Sequence, residues 1–276
     1  HTRSLCDWSS DVCSSDLRHF SAPVRLDIGR PAAELVHLFT HDSDAFARWD
    51  AGQHLLRSAT IARATGAPDH NLEEELVDAF RRILADPLLA ESSRAALLAL
   101  PGLAELEELT AEPDPPALFA ALHDLQRHFG LALAEPLAQA LERITPQWSL
   151  VWPEGRGDRS LTGLIWAWRV AAGDPGAIAA SLAAVEASSM TLARHGLRAL
   201  QNHAIPERAA AMAAFYERWQ ERPVILDAWF ALEASAPFTD GLERVEALLH
   251  HPRFDPMAPN SVRAVLGGLE IGRAHV

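Results

Sequence analysis

The chain contains no lysine, so all 24 of its strong cations are arginines. Against 37 acidic residues they leave a formal charge of −13. That balance argues against nonspecific nucleic-acid binding and against anionic membrane surfaces. Tyrosine occurs once and cysteine twice, and both cysteines, Cys6 and Cys13, lie near the amino end. No apolar run is long enough to cross a bilayer, so a soluble body is expected. Also missing are the short patterns that announce chemistry. There is no His-Glu-x-x-His pair of zinc ligands, no Gly-x-Ser-x-Gly elbow and no phosphate loop. Gly155-Arg-Gly157 lacks the Gly-Lys-Ser/Thr continuation that a phosphate loop needs.

The two ends share an unusual relation. Asp11-Val-Cys-Ser-Ser-Asp-Leu17 can be encoded as GAC GTG TGC TCT TCC GAT CT. The reverse complement of that string, read in frame, gives Ile271-Gly-Arg-Ala-His-Val276. Residues 1–17 and 271–276 are therefore read as translations of a sequencing adapter on opposite strands, to be left out of fold reasoning. The body is then free of cysteine, which is compatible with a cytoplasmic protein. The natural polypeptide is expected to extend past both ends.

What is present is helical. Only residues 20–28 alternate as a strand does. From Pro31 onward, apolar residues recur at helical spacing between stop-and-restart signals such as Asp174-Pro175 and Ile205-Pro206. An antiparallel helix pair, 117–129 and 131–144, should turn near Gly130, and residues 148–158 should form a surface loop. Many ordinary helices with short turns and no strict repeat predict an all-α, irregular superhelix of stacked antiparallel pairs, similar to HEAT or armadillo arrays. Residues 31–270 are assigned to it.

The segment 222–268 organises the expected site. Pro223 opens a helix whose apolar face carries Val224, Leu226, Trp229, Phe230 and Ala231. Thr239 or Asp240 caps a second with the stripe Leu242, Val245, Leu248 and Leu249. A loop containing Pro252, Pro256 and Pro259 delivers Asn260 as the cap of a third, with Val262, Val265 and Leu266 facing inward. Asn260 and Arg263 are three apart and share a face, so an amide and a guanidinium could together meet a carboxylate or a peptide carbonyl. The plainer alternative is that Asn260 only caps and Arg263 pairs with an acid. Other candidates have structural readings. Adjacent His250 and His251 point about 100° apart and suit a helix end better than one metal ion. The run Glu73-Glu74-Glu75 reads as a solvated face. Trp166 and Trp168 should point to different sides of one helix, one of them into the core.

Four segments carry a family resemblance. Leu17-Arg-His-Phe-Ser-Ala-Pro-Val24, His41-Asp-Ser-Asp-Ala-Phe-Ala-Arg-Trp-Asp50, Leu226-Asp-Ala-Trp-Phe-Ala-Leu-Glu-Ala234, and His251-Pro-Arg-Phe254 with 259–267 resemble bacterial aminopeptidase N, in family order. The resemblance implies that 18–30 is the last strand of a preceding β-domain and that 31–270 is the C-terminal helical domain. It further implies a zinc-dependent parent that removes N-terminal residues from peptides, with its zinc on an upstream catalytic domain. This segment would then enclose the active-site chamber and gate peptide access, hold no metal and be inactive alone. Its partners would be the upstream catalytic and β-domains, with Asn260 and Arg263 facing the substrate channel. A stand-alone helical scaffold that binds a protein partner is the alternative.

Overall fold

The computed structural model describes residues 29–144 and 154–272, with side chains described up to 267. The expected strand at 20–28 lies outside these residues, as does most of the expected loop at 148–158. Among the described residues there are fourteen helices and no strand. In chain order they are α1 Ala32–His41, α2 Ala45–Ala64, α3 His70–Ala85, α4 Glu91–Leu98, α5 Leu103–Leu109, α6 Pro115–Ala132 and α7 Ala134–Ile144. After the gap come α8 Arg156–Ala171, α9 Pro175–Ala184, α10 Met190–Leu200, α11 Pro206–Trp219, α12 Pro223–Ala234, α13 Gly241–Leu249 and α14 Pro259–Gly272. The all-α superhelical architecture matches the sequence reading.

Local chemistry sets many of the helix starts. Asp44 accepts from the Phe46 and Ala47 amides at 3.0 and 2.9 Å, and Asp69 from Leu72 at 3.1 Å. Asp114, Asp174 and Ser189 cap α6, α9 and α10 in the same way. Proline occupies the first turn of α6, α9, α11 and α12, where its missing N–H has no intrahelical partner to lose. Successive neighbours then stack: α2 on α6, α6 on α8, α8 on α10, and α12 on α14.

Helix α8 joins two cores. Trp168 is 2% exposed in the first, with its ring 5.3 Å from Phe80 and 5.5 Å from Phe129. Trp166 is 5% exposed in the second, with Leu197, Leu200 and Phe215. Residues two apart on a helix diverge by about 200°, so each ring anchors a different side. Both are core, where the sequence placed one there and made the other a contact with a neighbour. A third cluster, of Leu226, Phe230, Ala234, Val245, Leu248 and Val265, closes the carboxyl end.

Three further expectations are corrected. Gly130 is no turn: it lies within α6, and a Cβ there would stand 2.2 Å from the Trp168 carbonyl oxygen. Its missing side chain serves the close approach of α6 to α8, and the chain breaks at Leu133 instead. Residues Arg156–Asp158 form the first turn of α8 rather than loop, because Gly155 takes the left-handed conformation (φ 65°) that starts the helix. Gly157 then lies against the Ser92 backbone of α4. Glu73 is buried, not solvated, because Arg63 Nη2 donates to both of its carboxylate oxygens at 2.8 Å. Glu74 and Glu75 remain exposed.

Gly130→Ala should lower stability by about 1–3 kcal/mol, since the added methyl meets backbone that cannot swing aside. Urea denaturation with a reduced midpoint is the expected result. An unchanged midpoint would mean that the two helices do not approach this closely.

Candidate functional site

The carboxyl-terminal end is built around an aromatic wedge. Leu226, Phe230 and Ala234 recur every four residues along α12 and bury against α14. Trp229 lies half-buried beside them and donates Nε1–H to the Met212 carbonyl at 3.1 Å. His251 enters this cluster from the loop after α13, with its ring 5.4 Å from Tyr216, 5.7 Å from Trp229 and 5.4 Å from Phe230. Burial, and then Arg253, holds its pKa below the ordinary histidine value. Its Nδ1 accepts the Arg253 amide at 3.1 Å, so the neutral ring carries its proton on Nε2.

The rest of the loop is locked in sequence. Phe254 packs edge-on against Phe230 at 6.1 Å. Asp255 accepts the Met257 amide at 2.8 Å, and its own N–H reaches Ser261 Oγ at 3.4 Å. Ser261 is 4% exposed and also hydrogen-bonds Asp227. Burial raises the Asp227 pKa, and the serine bond opposes that rise. Arg253 pairs with Glu221, tying the loop to the end of α11. His250 closes α13, its Nδ1 2.8 Å from the Glu246 carbonyl, which is the helix-end role expected of it.

This loop delivers Asn260 and Arg263 to the first turns of α14. Both are exposed and lie three apart on one face. Val262 N–H bonds the Ala258 carbonyl at 3.1 Å, so the helix is capped at Ala258 and Asn260 already lies inside the first turn. Neither Asn260 nor Arg263 makes a side-chain hydrogen bond or ion pair among the described residues. The alternatives of a capping asparagine and an acid-paired arginine are therefore not what the geometry shows. Val265 is buried as expected and Val262 half-buried, but Leu266 is 43% exposed, being turned about 100° from Val265. Val224 and Leu242, expected on apolar faces, are also exposed.

Elsewhere, two histidines face each other across helices. His123 of α6 and His203 after α10 stand 5.1 Å apart between ring centroids. Burial, then the His123 charge, pushes His203 down to about 4. Burial lowers His123 as well, and its Nε2 is buried without a partner. Sequence patterning gave no sign of this pair, because the two positions share no helix.

No three His, Cys, Asp or Glu side chains gather as metal ligands among the described residues. No described helix is long and apolar enough to cross a membrane.

Comparison with known proteins then decides the family. The family described as "Domain of unknown function (DUF3458_C) ARM repeats" matches residues 32–274. The chain belongs to that family. As a DUF3458_C domain it is 35% identical over 269 residues to the aminopeptidase N of Caulobacter vibrioides, covering 91% of this chain and 29% of that protein. To the Escherichia coli aminopeptidase N it is 30% identical over 256 residues, again 91% and 29%. It thus spans less than a third of the length of these relatives and is similar to their C-terminal region. Legionella pneumophila aminopeptidase A, solved in complex with aspartic acid, shares the fold of this DUF3458_C domain. The TM-score is 0.82 at 24% identity, over 94% of this chain and 32% of that one.

Because His203 is neutral in the fold while its unfolded form protonates near 6.5, its contribution is full above that value. It is lost as pH falls from about 6.5 toward about 4. Thermal melts at pH 7 and pH 5 should therefore show a clear loss of stability, and His203→Gln should reduce the difference. An equal slope in the variant would show that the pair does not carry it.

Proposed function

We propose that this domain is the C-terminal helical part of a zinc-dependent aminopeptidase that removes N-terminal residues from peptides. In this reading it encloses the active-site chamber and gates peptide entry. Asn260 and Arg263 line the substrate channel, and the zinc belongs to the upstream catalytic domain. That domain and the β-domain of the same chain are its partners, in the cytoplasm. The observation that carries the reading is the similarity of 91% of this chain to the C-terminal region of two proteins named aminopeptidase N.

The local chemistry supports a binding role for α14 rather than a reacting one. Arg263 offers a planar fork of donors that matches a carboxylate. Asn260 beside it offers both an acceptor and two donors. Such a pair can hold a peptide carboxylate or carbonyl while exchanging no proton. The aromatic wedge fixes where the pair stands, since the His251 contacts and the Ser261 bonds leave the loop little room to shift.

Two assays test this. The purified chain should not hydrolyse alanine p-nitroanilide, and chelator-sensitive hydrolysis would refute the inactive-wall reading. In the full polypeptide, Arg263→Ala should lower kcat/KM for peptides by about tenfold while changing the small aminoacyl reporter by less than about twofold. Equal losses on both substrates would place Arg263 outside the channel.

A further inference from the structure

The outward stripe of α10 carries positive charge with no ion pair among the described residues. This helix buries Leu192, Ala193, Gly196, Leu197, Ala199 and Leu200. Thr191, Arg194, His195 and Arg198 remain at i, i+3, i+4 and i+7, a single face. There is no Asp or Glu anywhere in α10. In a chain of net charge −13, this stripe stands apart. Arg81, Arg244 and Arg253 find acids in Asp78, Asp240 and Glu221, whereas exposed Arg82, Arg156, Arg222 and Arg263 have no such partner among the described residues. What distinguishes the stripe is that Arg194 and Arg198 gather with Arg159 around one histidine. Arg194 and Arg198 make no ion pair or hydrogen bond among the described residues.

The face is held rigidly. Gly196 lets α10 lie on α9, since a Cβ there would stand 2.3 Å from the Ser181 carbonyl oxygen. Gly163 of α8 receives the His195 ring, a Cβ there falling 2.3 Å from Nδ1. One turn earlier on α8 lies Arg159, 3% exposed, with Nη1 donating to the Glu154 carbonyl at 2.9 Å. Burial, and then Arg198, Arg194 and Arg159, pushes His195 down to about 4. Burial and Arg194 also lower Arg198. Like charges gathered on one face repel, and a bound oxyanion would offset that repulsion.

We propose that Arg194, Arg198 and His195, backed by Arg159, form an oxyanion site whose ligand is a carboxylate-bearing acidic peptide segment. The choice of carboxylate rests on the reading above that peptides are what this domain meets. Side chains at i and i+4 start about 5–6 Å apart, so two guanidinium forks can take separate carboxylates of one extended segment.

The test titrates this chain with a hexaglutamate peptide, a hexaglutamine peptide and inorganic phosphate. Binding is followed by calorimetry and by the His195 ring signals in NMR spectra. Hexaglutamate should bind saturably and hexaglutamine should not, with affinity falling steeply as salt is raised. At saturation the His195 midpoint should move up from about 4, because a nearby carboxylate favours the imidazolium. Arg194→Gln with Arg198→Gln should weaken binding by at least about tenfold. Both positions are exposed, and the His195 signal of the unmodified chain reports without any variant. Equal binding of the two peptides, an unmoved His195 midpoint, or undiminished affinity in the double variant would overturn the site. Phosphate occupying it more tightly than hexaglutamate would overturn the peptide assignment. Because the titration needs no catalytic domain, its failure would leave the aminopeptidase reading standing.

Discussion

The contact between Gly130 and the Trp168 carbonyl is the constraint on which the other packing depends. It brings α6 and α8 close enough for Phe129 and Phe80 to surround the Trp168 ring. The same helix turns Trp166 into the next core and offers Gly163 to His195. A longer side chain at Gly130 would push α8 outward and disturb both cores together. Aromatic pairs of this kind add about 0.5–1.5 kcal/mol each beyond their buried area, so the junction concentrates stability between the two cores.

That junction has a functional consequence. Stacked helices transmit position from neighbour to neighbour, so the orientation of α14 follows from α12, and that of α10 from α8. The two cationic features of the domain are set differently. Arg263 is delivered by a loop pinned at His251 and Ser261, while the α10 stripe is set by glycine-mediated helix contacts. Beside Arg263 on α14, the Ser261 hydroxyl is buried and tied to Asp227 and to the Asp255 amide. Both cationic features are suited to binding.

Much of the fold was legible from residue patterns. Asp44 and Asp174 announce helix starts because a carboxylate before an apolar period can cap the first turn. The segment 41–50 that carries part of the family resemblance turns out to be a corner device. Asp42 accepts the Asp44 amide, Asp44 caps α2, and Arg48 reaches back to the Phe39 carbonyl. What patterning could not supply was long-range proximity. Gly130 read as a turn because a glycine that admits a neighbouring backbone looks the same as one that bends its own. Glu73 read as surface because its partner Arg63 lies on another helix. At the site, the neighbourhood of Asn260 and Arg263 was legible, but their lack of partners among the described residues was not. The α10 stripe was not singled out in the sequence and became informative only once its arginines had no acid partner among the described residues.

The claim that α14 faces the peptide is tested most directly by hydrogen–deuterium exchange on the full polypeptide, with and without a non-hydrolysable peptide. The account expects slowed exchange over residues 259–267 when the peptide is present. Protection confined to the catalytic region, with residues 259–267 exchanging as before, would contradict it.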